Sequence, residues 1–328
     1  MNDFHQNLLS WYFQFGRLDL PWRNLPTQSS TPHPKLTHTN RAYGVYISEV
    51  MLQQTQVSVV KERFYFPFLE RFPTLSSLAD APESEVLHSW QGLGYYTRAR
   101  NLQKSAKECM QRFNGILPSS TQELKTLSGI GDYTAGAIAC FGYGEAVSFV
   151  DGNIARILSR LFALSSPTPN TLKERAQEIL NPNNPFDHNQ ALLDLGATLC
   201  TPKNPSCLLC PIQEFCLGKC NPSIYPTPKK TSLTPLELHL GFVKRDEKIS
   251  LLKSTQKLYH GLYNPMTLEQ VDESDELIGI FSHHYTRYKI KAYVYLCKSE
   301  IEGVEYFSFS ELENLPLSNL CKKALRFL

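Results

Sequence analysis

The sequence predicts a mostly α-helical region followed by a smaller α+β region, and three observations carry that prediction. Residues 83–90, 101–113 and 153–164 space their apolar side chains at helical intervals. After Cys220 the stretch Asn221-Pro-Ser-Ile-Tyr-Pro-Thr-Pro-Lys-Lys230 breaks that rhythm and reads as an extended linker. Beyond it, 236–243, 248–253 and 288–297 are short alternating or β-branched runs, the pattern of strands, and 309–328 returns to helical spacing. The expected boundaries are 1–220, a linker over 221–233, and 234–328.

Composition agrees with two soluble domains. The chain has 328 residues, 42% hydrophobic and 20% charged, with a net charge of +2. That charge neither demands nor excludes a nucleic-acid partner. No apolar run is long enough to span a membrane, and Met1-Asn2-Asp3-Phe4-His5 lacks the pattern of a signal peptide. The expected location is the cytoplasm, at a bacterial nucleoid, with the chain a monomer.

Taken in order, the first irregular segment is 24–41, rich in Pro, Thr, Ser and His, which reads as a surface loop. The apolar segment Val45-Tyr-Ile-Ser-Glu-Val-Met-Leu-Gln-Gln-Thr-Gln-Val57 follows, with Glu49 inside it. A carboxylate among Ile47, Val50, Met51 and Leu52 is costly unless partnered, and burial would raise its pKa and make it a proton donor near neutrality. The plainer reading is a Glu on a helix surface. Trp90-Gln-Gly-Leu-Gly-Tyr-Tyr-Thr-Arg-Ala-Arg100 sets aromatics on a glycine-rich turn, suited to wedging into a base stack. Arg98, Arg100, Lys104 and Lys107 lie within reach of phosphates there, or form an ordinary solvated face.

Leu127-Ser-Gly-Ile-Gly131 follows an amphipathic stretch, 121–127, and precedes a small-residue helix. Gly129 and Gly131 make a tight turn that exposes backbone N–H groups at a helix start, an anion site fit for a DNA phosphate. The alternative is a hairpin that only packs. Asp151, after the apolar run 146–150, opens Asp-Gly-Asn-Ile-Ala-Arg; Asp before Gly at a helix start is usually an N-cap. Capping does not prevent the same carboxylate from facing a cleft.

Cys200, Cys207, Cys210 and Cys216 form a C-x6-C-x2-C-x5-C run within seventeen residues. Four thiolates hold a tetrahedral zinc or a [4Fe–4S] cube, and the single close pair with longer arms favours the cube. Two disulfides are the bland alternative, but nothing else suggests export. Cys109, Cys140, Cys297 and Cys321 are scattered, and Cys220 is a neighbouring alternative ligand.

Together these segments, with Leu20-Pro-Trp-Arg23, resemble the MutY family of adenine DNA glycosylases, within the endonuclease III-like helix-hairpin-helix superfamily. The resemblance implies a mostly α helix-hairpin-helix glycosylase fold: a six-helix barrel beside a [4Fe–4S] domain that gripping DNA would bridge. It implies removal of adenine mispaired with 8-oxoguanine or guanine in double-stranded DNA. Glu49 matches the acid that protonates adenine N7, and Asp151 the carboxylate that stabilises the oxocarbenium-like sugar. Tyr133 and Asn153 match groups that support them. Arg23, Leu52 and Gln190 fall where the adenine pocket is lined, and Gln54 and Tyr95 where groups enter beside the 8-oxoguanine. Lyases of the superfamily carry a Schiff-base Lys where Tyr133 stands, so a monofunctional glycosylase is implied. Asp132 departs from the usual Arg or Pro. The C-terminal region resembles the family's small α+β MutT-like recognition domain: Gly261-Leu-Tyr-Asn-Pro265 is a degenerate G-L-W-x-x-P, and Phe281, Ser282 and His283 match its F-S-H loop. No Nudix helix is present, which argues against nucleotide hydrolysis. A bifunctional pyrimidine lyase and a catalytically dead DNA-binding protein are the competing readings.

Overall fold

The computed structural model describes residues 2–25, 39–227, 233–255, 259–285, 288–299, 303–313 and 315–328. Most of the loop expected over 24–41 lies outside these residues. The chain forms two compact units, the first of 1–81 with 100–229 and the second of 82–99 with 230–328. Residues 82–99 therefore join the C-terminal sheet region, although the sequence boundaries put them in the helical one.

The first unit is helical, and its helices start where capping chemistry dictates. Helix Asn2–Phe15 buries Phe4, Leu8 and Tyr12, one turn apart, against helix Pro185–Thr198. Helix Arg41–Met51 starts at Asn40, whose side chain accepts from the Tyr43 N–H, and every residue from Ala42 to Met51 is buried. A helix apolar all round belongs at the centre of a core, which explains why Glu49 is drawn inside. Helix Gly152–Leu161 starts at Asp151, and helices Pro169–Ile179 and Pro185–Thr198 start at Thr168 and Asn184 with proline in the first turn. The amphipathic stretch 121–127 forms one turn of helix, Thr121–Leu124, before the hairpin and helix Asp132–Ala137.

Among the described residues the second unit holds eight strands, β1 Thr234–Phe242, β2 Lys244–Arg245, β3 Lys248–Lys253, β4 Tyr263–Asn264, β5 Met266–Thr267, β6 Glu276–Tyr285, β7 Tyr288–Leu296 and β8 Glu305–Ser308. One sheet runs β5-β1-β7-β6, with β1 and β7 parallel from Thr234↔Tyr288 to Phe242↔Leu296 and β6 antiparallel to β7. The other pairs β3 with β2, β4 and β8. Leu240, Phe242, Ile249, Leu251, Ile290 and Val294 meet Leu320 and Ala324 of helix Asn319–Ala324 in its core. The expected C-terminal helix is interrupted, running as Phe309–Leu312 and then Asn319–Ala324. Pro316 stands between them and cannot continue a helix. From the 82–99 segment, Trp90 is fully buried, and Gln91 Nε2 and Tyr96 Oη donate to the carbonyls of Leu315 (2.9 Å) and Leu317 (3.4 Å).

Candidate active site and iron–sulfur loop

Four elements of the first unit bring the predicted acid and its partners together. Glu49 is 5% exposed, and Tyr133, in the first turn of helix Asp132–Ala137, donates its hydroxyl to Glu49 Oε2 at 2.8 Å. Burial pushes the Glu49 pKa up to about 7; Asp151 raises it further, while the Tyr133 hydrogen bond and Arg23 pull it down. Glu49 is thus a carboxyl that keeps its proton up to near neutrality and titrates there, in the same neighbourhood as Asp151 and Arg23. Tyr133 itself is held neutral by burial and by Glu49. Its ring meets Phe149 edge to face, 5.4 Å between centroids.

Asp151 both caps and faces the site. Its Oδ1 accepts the Ile154 N–H at 2.7 Å, and its Oδ2 accepts from Asn153 Nδ2 at 3.1 Å. Burial raises its pKa, and these hydrogen bonds oppose the rise. Asp151 and Tyr133 line a groove of about 1000 Å³ with Thr121, Lys125, Asp132 and Lys173. Arg156 fixes Asn153 in turn, donating to Asn153 Oδ1 (2.9 Å), to the Gly196 carbonyl (2.7 Å) and to the Cys200 carbonyl (2.7 Å). A continuous hydrogen-bonded path therefore joins Asp151 to the first cysteine of the loop.

Arg23 and Gln190 are both buried. Arg23 is held by Asp194, a fully buried carboxylate one helical turn beyond Gln190, through two 2.8 Å bonds; Arg17 binds the same carboxylate. These guanidinium groups hold the Asp194 carboxyl below its ordinary range against the opposing effect of burial. Arg23 Nε is a buried donor without a hydrogen-bond partner. Leu52, at the end of helix Arg41–Met51, is half-buried. Sequence reasoning missed Asp194, although it carries the signal that singled out Glu49, an acid inside an apolar helix: Ala191-Leu-Leu-Asp-Leu. It also missed Arg17, Arg156 and Arg160, whose partners Asp194, Gly196 and Cys200 are distant in sequence.

Gln54 and Tyr95, matched to positions beside the lesion, are both non-glycine residues at positive φ, 58° and 48°. Such backbone is strained and concentrates at functional sites. Gln54 is exposed in the first unit, and Tyr95 is 41% exposed in the second. Arg98 is buried, not on a solvated face; it sits over the Trp90 ring and donates to the carbonyls of Leu93 and Gly94. In the hairpin Gly129 has φ +77°, and a Cβ there would lie 2.6 Å from that of Asn101. Gly131 has open space around it, as an approaching backbone requires.

The F-S-H segment is part of strand β6, not a loop. Successive strand residues face opposite ways. Ser282 is exposed, while His283 is 8% exposed and its pKa is lowered by burial, Lys323 and His284. Phe281 stacks on Phe327 at 6.1 Å, and Lys323 Nζ donates to the Ser282 carbonyl at 3.1 Å.

Cys200, Cys207, Cys210 and Cys216 line one cavity together with Arg160 and Ile212. Their thiols sense one another's charge. Among the described residues no three metal-binding side chains are gathered tightly enough for a single ion. A tetrahedral zinc with bonds of about 2.3 Å would draw its sulfurs to about 4 Å of one another. Four thiolates around one cavity are the donor set that a cube takes. Arg160 is buried and donates to Cys200 Sγ at 3.2 Å and to the Thr201 carbonyl at 2.8 Å, so the loop is preshaped by protein contacts.

Residues 200–216 match the iron–sulfur binding domain of endonuclease III, and 47–182 match the HhH-GPD superfamily of base excision DNA repair proteins. An adenine DNA glycosylase of Buchnera aphidicola from Schizaphis graminum is 35% identical over 263 residues, 77% of this chain and 71% of that protein. The chain belongs to the adenine DNA glycosylase family. The adenine DNA glycosylase of Mus musculus is 43% identical over 219 residues, 65% of this chain, and the chain spans only 41% of that relative's length. A solved thermostable thymine-DNA glycosylase superposes with a TM-score of 0.57 at 26% identity, covering 65% of this chain and 94% of its own. The two family matches fall within residues 47–216: the protein has the helix-hairpin-helix glycosylase fold and a [4Fe–4S] cofactor loop, followed by an α+β sheet region. Among the described residues no helix is long and apolar enough to cross a membrane.

Proposed function

We propose that the chain is a monofunctional adenine DNA glycosylase that excises adenine opposite 8-oxoguanine or guanine, acting as a monomer on nucleoid DNA. The observation that carries this reading is the Glu49 carboxyl, buried, held by Tyr133 at 2.8 Å and raised to a pKa of about 7 beside a second carboxylate. Glu49 delivers its proton to N7 of an extruded adenine. The C1′–N9 bond then breaks, the base leaves as neutral adenine, and Asp151 stabilises the cationic sugar. Water adds at C1′, its surplus proton passing to the Glu49 carboxylate, and leaves an abasic site. Asn153, oriented by Arg156, keeps one Asp151 oxygen directed while the Ile154 N–H holds the other.

Arg23 and Gln190 form the floor of the base pocket, with Leu52 as its apolar side. Gln54 and Tyr95 meet the opposite strand, and Gly129 and Gly131 take a DNA phosphate. Strand β6, through Ser282, reads the 8-oxoguanine in a MutT-like domain over 234–328. The cube is held by the four cysteines and stabilises their loop; it supplies no step of the hydrolysis. Adenine release from an A·8-oxoguanine duplex tests the reading, and no release by cluster-loaded protein overturns it. Borohydride trapping of an enzyme–DNA adduct would instead favour a lyase, which Tyr133 argues against.

A further inference from the structure

The hairpin carries a residue that its proposed task does not want. Asp132 opens the helix after Gly131, and Lys125 Nζ meets its Oδ1 at 3.0 Å, with the two side chains 76% and 42% exposed. Lys173, on helix Pro169–Ile179, faces the same carboxylate. All three line the groove that contains Tyr133 and Asp151. A second carboxylate already occupies the hairpin: Glu108 accepts from the Ser128 N–H (2.8 Å) and hydroxyl (2.7 Å). An exposed ion pair contributes little, so Lys125 and Asp132 separate at little cost.

We propose that Asp132 is an affinity-setting residue, an internal stand-in for a DNA phosphate that holds Lys125 in the free protein and yields it to the backbone. The inference rests on the reading of the hairpin as a DNA contact. In the free protein Lys125 already has its anion. When it moves to a phosphate, Asp132 is left to recruit a cation, so the exchange releases little net counterion. Each phosphate newly neutralised by a free lysine adds about 0.9 to the salt dependence of binding. Asp132 therefore cancels about one such contact, and the chain binds DNA more loosely than its lysines alone would allow.

The test is binding of cluster-loaded full-length protein to a fluorescent duplex bearing a tetrahydrofuran abasic-site analogue opposite 8-oxoguanine, between about 50 and 200 mM salt. Asp132→Asn is expected to bind roughly three- to tenfold tighter at the low end, with a slope steeper by about 1. In a Lys125→Gln background the same change should gain little, because the lysine it frees is gone. Both substitutions are at exposed positions, and an unchanged melting temperature checks that the fold tolerates them. An Asp132→Asn protein with unchanged affinity and slope overturns the inference. So does an undiminished gain without Lys125, which would make Asp132 a plain repulsive charge. Failure of the unmutated protein to bind the duplex would overturn both this inference and the DNA-contact reading; binding without an Asp132 effect overturns this one alone.

Discussion

Glu49 is kept from ionising by the same burial that its apolar neighbours dictate, and its chemistry follows from that. A general acid must be protonated, so single-turnover excision is expected to fall as pH rises through about 7. The Tyr133 hydroxyl favours the ionised form, so Tyr133→Phe should move that limb to higher pH; an unmoved limb would mean that another group titrates. Glu49→Gln should keep duplex binding and lose excision by about 10²–10⁴-fold, read by quenched single-turnover assay. The buried acid also has a stability signature. Its folded pKa lies above its unfolded value, so the folded state binds the extra proton and stability is lost as pH rises from 4.5 to about 7. Glu49→Gln removes that penalty. Its advantage in denaturant over the parent should grow across this window towards roughly 3 kcal/mol, at about 1.4 kcal/mol per tenfold change.

Elements present these residues, and two of them make separable predictions. The turn between helix Thr121–Leu124 and helix Asp132–Ala137 uses Gly129 for its backbone and Gly131 for its openness. Gly129→Ala should destabilise by about 1–3 kcal/mol, from the positive φ and the clash with Asn101. Gly131→Ala should leave the melting temperature in place and weaken duplex binding, because its methyl group meets only the incoming backbone. Helix Pro185–Thr198 carries Gln190 and Asp194 one turn apart. Asp194→Asn strands a buried Arg23 and should cost about 3–5 kcal/mol by urea denaturation, far more than loss of a surface pair. Strand β6 separates its F-S-H residues by alternation. Ser282→Ala should reduce the preference for A·8-oxoguanine over A·G without loss of stability, whereas His283→Ala should lower stability first.

At the scale of the whole molecule, the proposed catalytic carboxylate Asp151 and the cysteine loop are far apart in sequence and joined in space. Asp151 reaches the Cys200 carbonyl through Asn153 and Arg156, and Arg160 holds Cys200 Sγ. Losing the cluster should therefore loosen the groove as well as the loop. Cys207→Ser is expected to lower iron from about four per chain, bleach the brown colour and weaken duplex binding, measured on the same preparation.

Much of this was legible in the chain alone, where the physical cause is local. Cysteine spacing named a metal loop, the Gly-x-Gly turn named a hairpin, and an acid amid Ile47, Val50 and Met51 announced its own burial. Strands β1, β3 and β7 were visible because alternation and β-branching are short-range signals. Strand β6 was hidden by its Ser and His residues, which are poor strand markers until β7 supplies the ladder. Residues 83–90 show helical spacing and 90–100 a glycine-rich turn, but the partners of Gln91 and Tyr96, Leu315 and Leu317, lie more than two hundred residues away. Likewise residue type by residue type the sequence determined which groups can donate a proton, hold iron or admit a phosphate. Only the tertiary structure decided that Tyr133 donates to Glu49, that Asp194 holds Arg23 and that Asp132 holds Lys125. Those pairings depend on distances between elements, and a distance across the fold leaves no periodicity in the chain.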